Sequence, residues 1–135
     1  MTELKTISEK PLARAICRIP LKLPSLNDYV NAERTNRFKG AKMKRDTQDA
    51  IKVYMRATIH FENPVRLHFH WIEKTSRRDL DNVAFAKKFI LDALVELGIL
   101  TDDSQKYVKG FTDTFEKGKE NGVIVTIEEV EDDTV

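Results

Sequence analysis

One cysteine, Cys17, in 135 residues excludes an internal disulfide and cannot build a zinc site alone. With only five glycines and four prolines there is no low-complexity segment, no internal linker, no repeat and no Gly-rich phosphate loop. No apolar run approaches the roughly 18 residues that a bilayer span needs. The start, Met1 to Thr6, lacks the hydrophobic core of a signal peptide. Cytoplasm is therefore the default location, with no membrane partner expected. A chain of this length, 41% hydrophobic and 33% charged, reads as one soluble domain over residues 1–135. Residues 1–12 and 130–135 read as loose tails.

A large charge of either sign is absent too, yet the net +1 conceals an asymmetry. Residues 1–78 hold 17 Lys and Arg against 8 Asp and Glu, whereas residues 79–135 hold 6 against 14. Such a split suggests a surface for a polyanion beside an acidic centre, unless folding intermixes the halves. The basic half peaks at Arg34, Arg37, Lys39, Lys42, Lys44 and Arg45, with no acid between them. Phe38 and Gly40 interrupt any periodicity there, so a loop leading into a helix is expected, its cations facing phosphates or simply solvated.

Alternation marks Ala15, Cys17, Ile19, Leu21 and Leu23 as a strand, with Pro20 confining it to an edge or a strand end. Pro24 to Asp28 has turn chemistry, and a short helix is expected from Tyr29. Apolar positions from Met43 to Thr58 keep helical spacing. Val65, Leu67, Phe69 and Trp71 alternate with Arg66, His68 and His70 in the clearest strand of the chain. The two histidines share a face, either as a polar surface or as metal ligands.

A helix is expected from about Asn82 to Leu97, capped by Asp81 or Asn82 and stopped by Gly98. Phe85, Leu91 and Val95 flank its polar row Lys88, Asp92 and Glu96, so a second cover is expected, for which another subunit is one candidate. A strand over Lys106–Phe115, a hairpin over Lys117–Gly122 and a last strand through Val123, Val125 and Ile127 follow. The order β-α-β-α-β-β predicts an α+β (mixed α/β) domain with a single sheet.

The chemistry concentrates between Arg77 and Ser104. Asp79 and Asp81 sit two apart, so in extended chain their carboxylates share one side. Asp102 and Asp103 follow the helix after Gly98. Like-charged carboxylates gather at a cost unless a cation or a base holds them, and Mg²⁺ takes one or two carboxylates while leaving room for a phosphate.

These residues resemble the RusA family of Holliday-junction resolvases. The resemblance rests on Arg78-Asp79-Leu80-Asp81-Asn82, Lys88, Asp92-Ala93-Leu94, Gly98 and Asp102-Asp103-Ser104-Gln105, with Leu23-Pro24-Ser25-Leu26-Asn27 matching the segment after the first strand. It implies a homodimer that cuts four-way junction DNA in recombination and repair, using Mg²⁺ or Mn²⁺. By motif position it implies Asp79, Asp81 and Asp103 as metal ligands and Lys88 as the active-site lysine. Arg77 and Arg78 join the basic stretch as DNA contacts. Three extra residues between Asp81 and Asp92, relative to the family's best-known pattern, let Lys87 compete with Lys88 for that role. Two other readings are a catalytically inactive DNA-binding or assembly module of the same fold and a metal-dependent nucleotide phosphohydrolase. The cleavage sequence and a host or prophage origin are not written in these residues.

Overall fold

A computed structural model describes residues 12–56 and 59–131, so both expected tails lie largely outside the described residues. Its elements are β1 (Arg14–Ile19), α1 (Leu26–Thr35), α2 (Arg37–Val53), β2 (Val65–Glu73), α3 (Leu80–Ala84), α4 (Lys87–Glu96), β3 (Val108–Lys117) and β4 (Gly122–Glu129). The fold is mixed α+β around one four-stranded sheet, in the order β1-β4-β2-β3. β4 runs antiparallel to both β1 and β2, and β2 pairs parallel with β3.

The alternating residues behave as their pattern requires. Cys17, Ile19, Leu67, Phe69, Trp71, Val123, Val125 and Ile127 point to one face and are buried with Ile51, Val83, Phe89, Ile90 and Leu94 from the helices. The opposite face carries Ile16, which is 53% exposed, together with exposed Arg18, Thr112, Thr114 and Glu116. β1 is an edge strand that stops before Pro20, where the missing N–H costs no ladder bond. No helix among the described residues is long and apolar enough to cross a membrane.

Four details differ from the sequence expectation. Pro24 to Asp28 is the start of α1 and not a separate turn: Ser25 Oγ accepts the Asp28 N–H at 3.1 Å while Asp28 Oδ2 accepts the Ser25 N–H at 2.9 Å. This reciprocal capping box starts the helix three residues before Tyr29. The basic stretch is no loop either. α1 runs through Arg34, Asn36 alone is extended, and its Oδ1 accepts the Lys39 N–H at 2.9 Å to open α2 at Arg37.

The helix expected over 82–97 is two helices. It begins at Leu80 behind an N-cap at Asp79, and it breaks at Phe85–Ala86 through tight bonds from Ala86 N–H to Val83 O and from Phe89 N–H to Ala86 O. The break lets Phe85 meet Tyr29 at 5.8 Å and Phe89 at 5.7 Å between ring centroids, so α1 supplies part of the second cover. Gly98, at φ 74°, ends α4 as expected. Its N–H bonds Val95 O and the Ile99 N–H bonds Leu94 O, the paired pattern of a left-handed glycine stop.

Lys117–Gly122 is not a hairpin, because β2 separates β3 from β4. The edge of β3 facing β4 is already taken by the parallel β2 ladder, so the chain crosses the end of β2. There Gly118 N–H donates to Glu73 O at 2.9 Å and Lys74 N–H donates to Asn121 Oδ1 at 2.9 Å. A Cβ at Gly118 would stand 2.6 Å from Ile72 Cγ2, so the crossing needs glycine.

Candidate functional site

The segment from Arg78 to Asn82 leaves the end of β2 and is anchored by Arg78. Its Nε and Nη2 donate to the two Glu73 carboxylate oxygens at 2.8 Å each, and Nη1 donates to Leu23 O at 3.0 Å. Asp28 stands 3.8 Å away. A bidentate guanidinium–carboxylate pair is among the stronger side-chain contacts. Here it ties the β1–α1 connection to the strand end just before Asp79. The side chain expected to contact DNA is therefore engaged inside the protein.

Asp79 is the N-cap of α3 with φ −67° and ψ 150°, yet its carboxylate makes no capping bond. Asp81 lies in the first turn. Both are exposed, as is Asp103. Among the described residues none of these three carboxylates has a hydrogen-bond or ion-pair partner. Beside them, Asn82 Oδ1 is buried without a partner, which costs on the order of 1–3 kcal/mol.

Asp79 and Asp103 border different hollows. Asp79 borders a hollow of about 390 Å³ with Trp71, Glu73, Phe115 and Lys117. Asp103 borders another, of about 240 Å³, with Lys44, Gln48, Lys88 and Asp92. Among the described residues no group of three His, Cys, Asp or Glu side chains could hold a metal ion.

The two candidate lysines differ sharply. Lys87 turns toward the sheet, donates to Asp113 Oδ2 at 2.6 Å and stands 4.0 Å from the centroid of Phe111. Trp71 Nε1 donates to Asp113 Oδ1 at 2.8 Å. Lys88 is exposed in the hollow that Asp103 borders. Asp92 in that hollow accepts from Gln48 Nε2 at 3.2 Å and lies 3.6 Å from Lys44 Nζ. One turn further, Lys52 bridges Glu96 and Asp49, and the Glu96 hydrogen bond holds its pKa above the ordinary value.

The basic residues also divide. Lys42 pairs with Asp46 at 2.6 Å, and Lys44 serves the α2–α4 contact. Arg34, Arg37, Lys39, Arg45 and Arg77 are exposed, with no ion pair among the described residues. Arg37 and Lys39 sit in the first turn of α2, which has no acidic residue of its own, with the Glu33 side chain of α1 against Gly40. There the helix dipole opposes each cation by about 0.3–1 kcal/mol.

The sequence missed Asp113 and Glu73, since a lone acid on a strand carries no signal until its partner is placed. His68 and His70 lie on the helix-free face. His68 Nε2 and His70 Nδ1 meet Thr114 Oγ1 at 2.9 and 2.6 Å, and His70 Nε2 meets Glu116 at 2.7 Å. They form a polar ladder, without the third ligand of a metal site.

Comparison with known proteins agrees with the motif. The family model described as endodeoxyribonuclease RusA matches residues 19–128, from the end of β1 almost to the end of β4. No curated protein matches the sequence.

Proposed function

The chain belongs to the RusA family of endodeoxyribonucleases, and on that footing we propose that it is a homodimeric resolvase of four-way DNA junctions, dependent on Mg²⁺ or Mn²⁺. The observation that carries this reading is the family match across residues 19–128, which includes the whole segment from Asp79 to Asp103. Asp79, Asp81 and Asp103 are the proposed metal ligands. Their exposure and lack of internal partners leave them available. Their convergence on one cation belongs to this proposal. A two-fold substrate needs two equivalent cuts, which two copies of one site supply most simply.

The chain's own residues have separable tasks. Arg34, Arg37, Lys39 and Arg45 hold phosphates and orient the junction through backbone positions, not base edges. Lys88, which borders the same hollow as Asp103, is the proposed residue whose charge opposes the negative charge developing on a phosphodiester. Arg78 keeps the strand end rigid before Asp79.

The test is a gel assay on a synthetic four-way junction, with and without Mg²⁺, using wild type and Asp81→Asn. The expected result is paired cuts by the wild type only with the cation, and binding without cutting by the variant. Binding without cutting by the wild type under every metal condition would instead identify a non-catalytic module. Sedimentation at micromolar concentration should show a dimer; only 15.6 kDa species would refute that part.

A further inference from the structure

Phe38 stands at the second position of α2 and is 78% exposed, the most exposed large hydrophobic among the described residues. Among the described residues its ring stacks on no other ring and has no cation over its face. Solvent exposure of one aromatic is common, but its setting is not neutral. Arg37 and Lys39 adjoin it, Arg34 precedes it at the end of α1, and Arg45 follows on the same outward side of α2, as does Lys42, which pairs with Asp46. At about 100° per residue that side lies opposite Gly40, Thr47 and Ile51, by which α2 packs onto the domain.

We propose that Phe38 is a specificity residue for branched DNA, stacking on a base unstacked at the branch point while the surrounding cations hold the flanking phosphates. This inference rests on the junction-binding reading above. The argument is one of complementary chemistry. An apolar ring ringed by cations suits neither water nor a hydrophobic protein surface. A nucleic acid offers both halves of the match, since a base presents an apolar π-face and its backbone presents the anions. In a continuous duplex the bases are stacked on one another and Phe38 finds no face. At a branch point stacking is interrupted, so the ring adds binding only there. The cations, by contrast, act on any DNA. The two contributions should therefore separate by experiment.

The experiment compares wild type, Phe38→Ala and Phe38→Trp on a four-way junction and on a linear duplex, with 2-aminopurine placed either at the branch or within an arm. Loss of one base–aromatic stack predicts that Phe38→Ala weakens junction binding by about 5- to 150-fold. Duplex binding and the salt slope should stay unchanged, and Phe38→Trp should restore the junction preference. Wild type should lower 2-aminopurine emission at the branch but not in the arm, and Phe38→Ala should lower neither. Equal weakening on both DNAs, or no weakening, overturns the inference while leaving the junction reading intact. A change in sedimentation for Phe38→Ala would assign the ring to a protein contact and overturn it too. A wild type that does not prefer the junction to the duplex defeats both readings.

Discussion

Adjacent lysines with opposite surroundings offer the sharpest test. Lys87 Nζ lies 2.6 Å from Asp113 Oδ2, with side chains 16% and 21% exposed, whereas Lys88 is exposed. Removing one partner from a fully buried pair costs about 3–5 kcal/mol, and an exposed pair contributes about 0–1 kcal/mol. At roughly one-fifth exposure, Lys87→Met should cost about 2 kcal/mol. The methionine retains the apolar stem against Phe69 and Phe111 but leaves the Asp113 carboxylate with only the Trp71 N–H. For a domain of this size that corresponds to a fall in Tm of about 6–10 °C.

Asp113→Asn keeps an acceptor for Trp71 and should cost less. Lys87→Met with Asp113→Asn should be more stable than the sum of the single effects predicts, by about 1 kcal/mol. Lys88→Met should stay within about 0.5 kcal/mol of wild type and, under the proposed function, lose junction cutting. Urea unfolding followed by far-ultraviolet circular dichroism suits the series, because Trp71 emission would itself respond to the substitutions. All variants are compared at one protein concentration, since a dimer's stability depends on it. Additive single effects, or equal destabilisation by Lys88→Met, would refute the division of labour between the two lysines.

Other expectations follow from single contacts. Arg37→Ala with Lys39→Ala should flatten the slope of log K against log salt for junction binding by up to about two units per protomer. The same change should raise thermal stability slightly by removing cations from the first turn of α2. Arg78→Lys cannot reproduce the paired bonds to Glu73 together with that to Leu23 O; it should lower cutting more than junction affinity. Equal losses of cutting and affinity would return Arg78 to a DNA contact. The Ala13 N–H, and then Asn63, hold the Glu129 carboxyl below its ordinary pKa. A depressed acid contributes stability above its unfolded pKa and loses it as pH falls through the folded one. Glu129→Gln should therefore destabilise near neutrality and approach wild type in acid-range unfolding, and a constant gap would refute the assignment.

Much of the sheet was legible because a half-buried strand needs strict alternation. Val65, Leu67, Phe69 and Trp71 in β2 satisfy it, as do Val123, Val125 and Ile127 in β4. Strand order was not legible. β3 and β4 joined through Gly118 and Gly122 read as neighbours, and only pairing with β2 on both its edges separates them. The first half of α2 was hidden because its inward face begins with Gly40 and passes through Thr47 and Gln48, which give no hydrophobic period. The break at Phe85–Ala86 contains no glycine or proline; an edge-to-face contact of Phe85 with Phe89 and a tilted one with Tyr29 accompany it.

The aspartates of the candidate site were legible as a motif, but the different hollows that Asp79 and Asp103 border were not. Spacing along a chain says nothing about which hollow each carboxylate borders. The lysine ambiguity had the same origin: Lys87 and Lys88 are equivalent in the sequence until the sheet offers Asp113 to one of them.

Where the chain breaks local rules is informative, because most of it obeys them. Ser25 and Asp28 cap reciprocally, Gly98 takes the left-handed stop, and Lys52 meets Glu96 across two helices. The exceptions fall in two short segments. Over 34–45, cations oppose a helix dipole and an aromatic ring faces water. Over 79–82, two carboxylates lack partners and an amide oxygen is buried unpaired. The cations against the dipole, the ring in water and the unpaired amide oxygen each carry a free-energy cost, and local inconsistencies of this kind concentrate at functional positions. A phosphodiester backbone with an unstacked base and an accompanying divalent cation would relieve the ring, the arginines and the carboxylates together. Small uncharged ligands would relieve none of the charged exceptions, and a polyanion without bases would leave Phe38 in water.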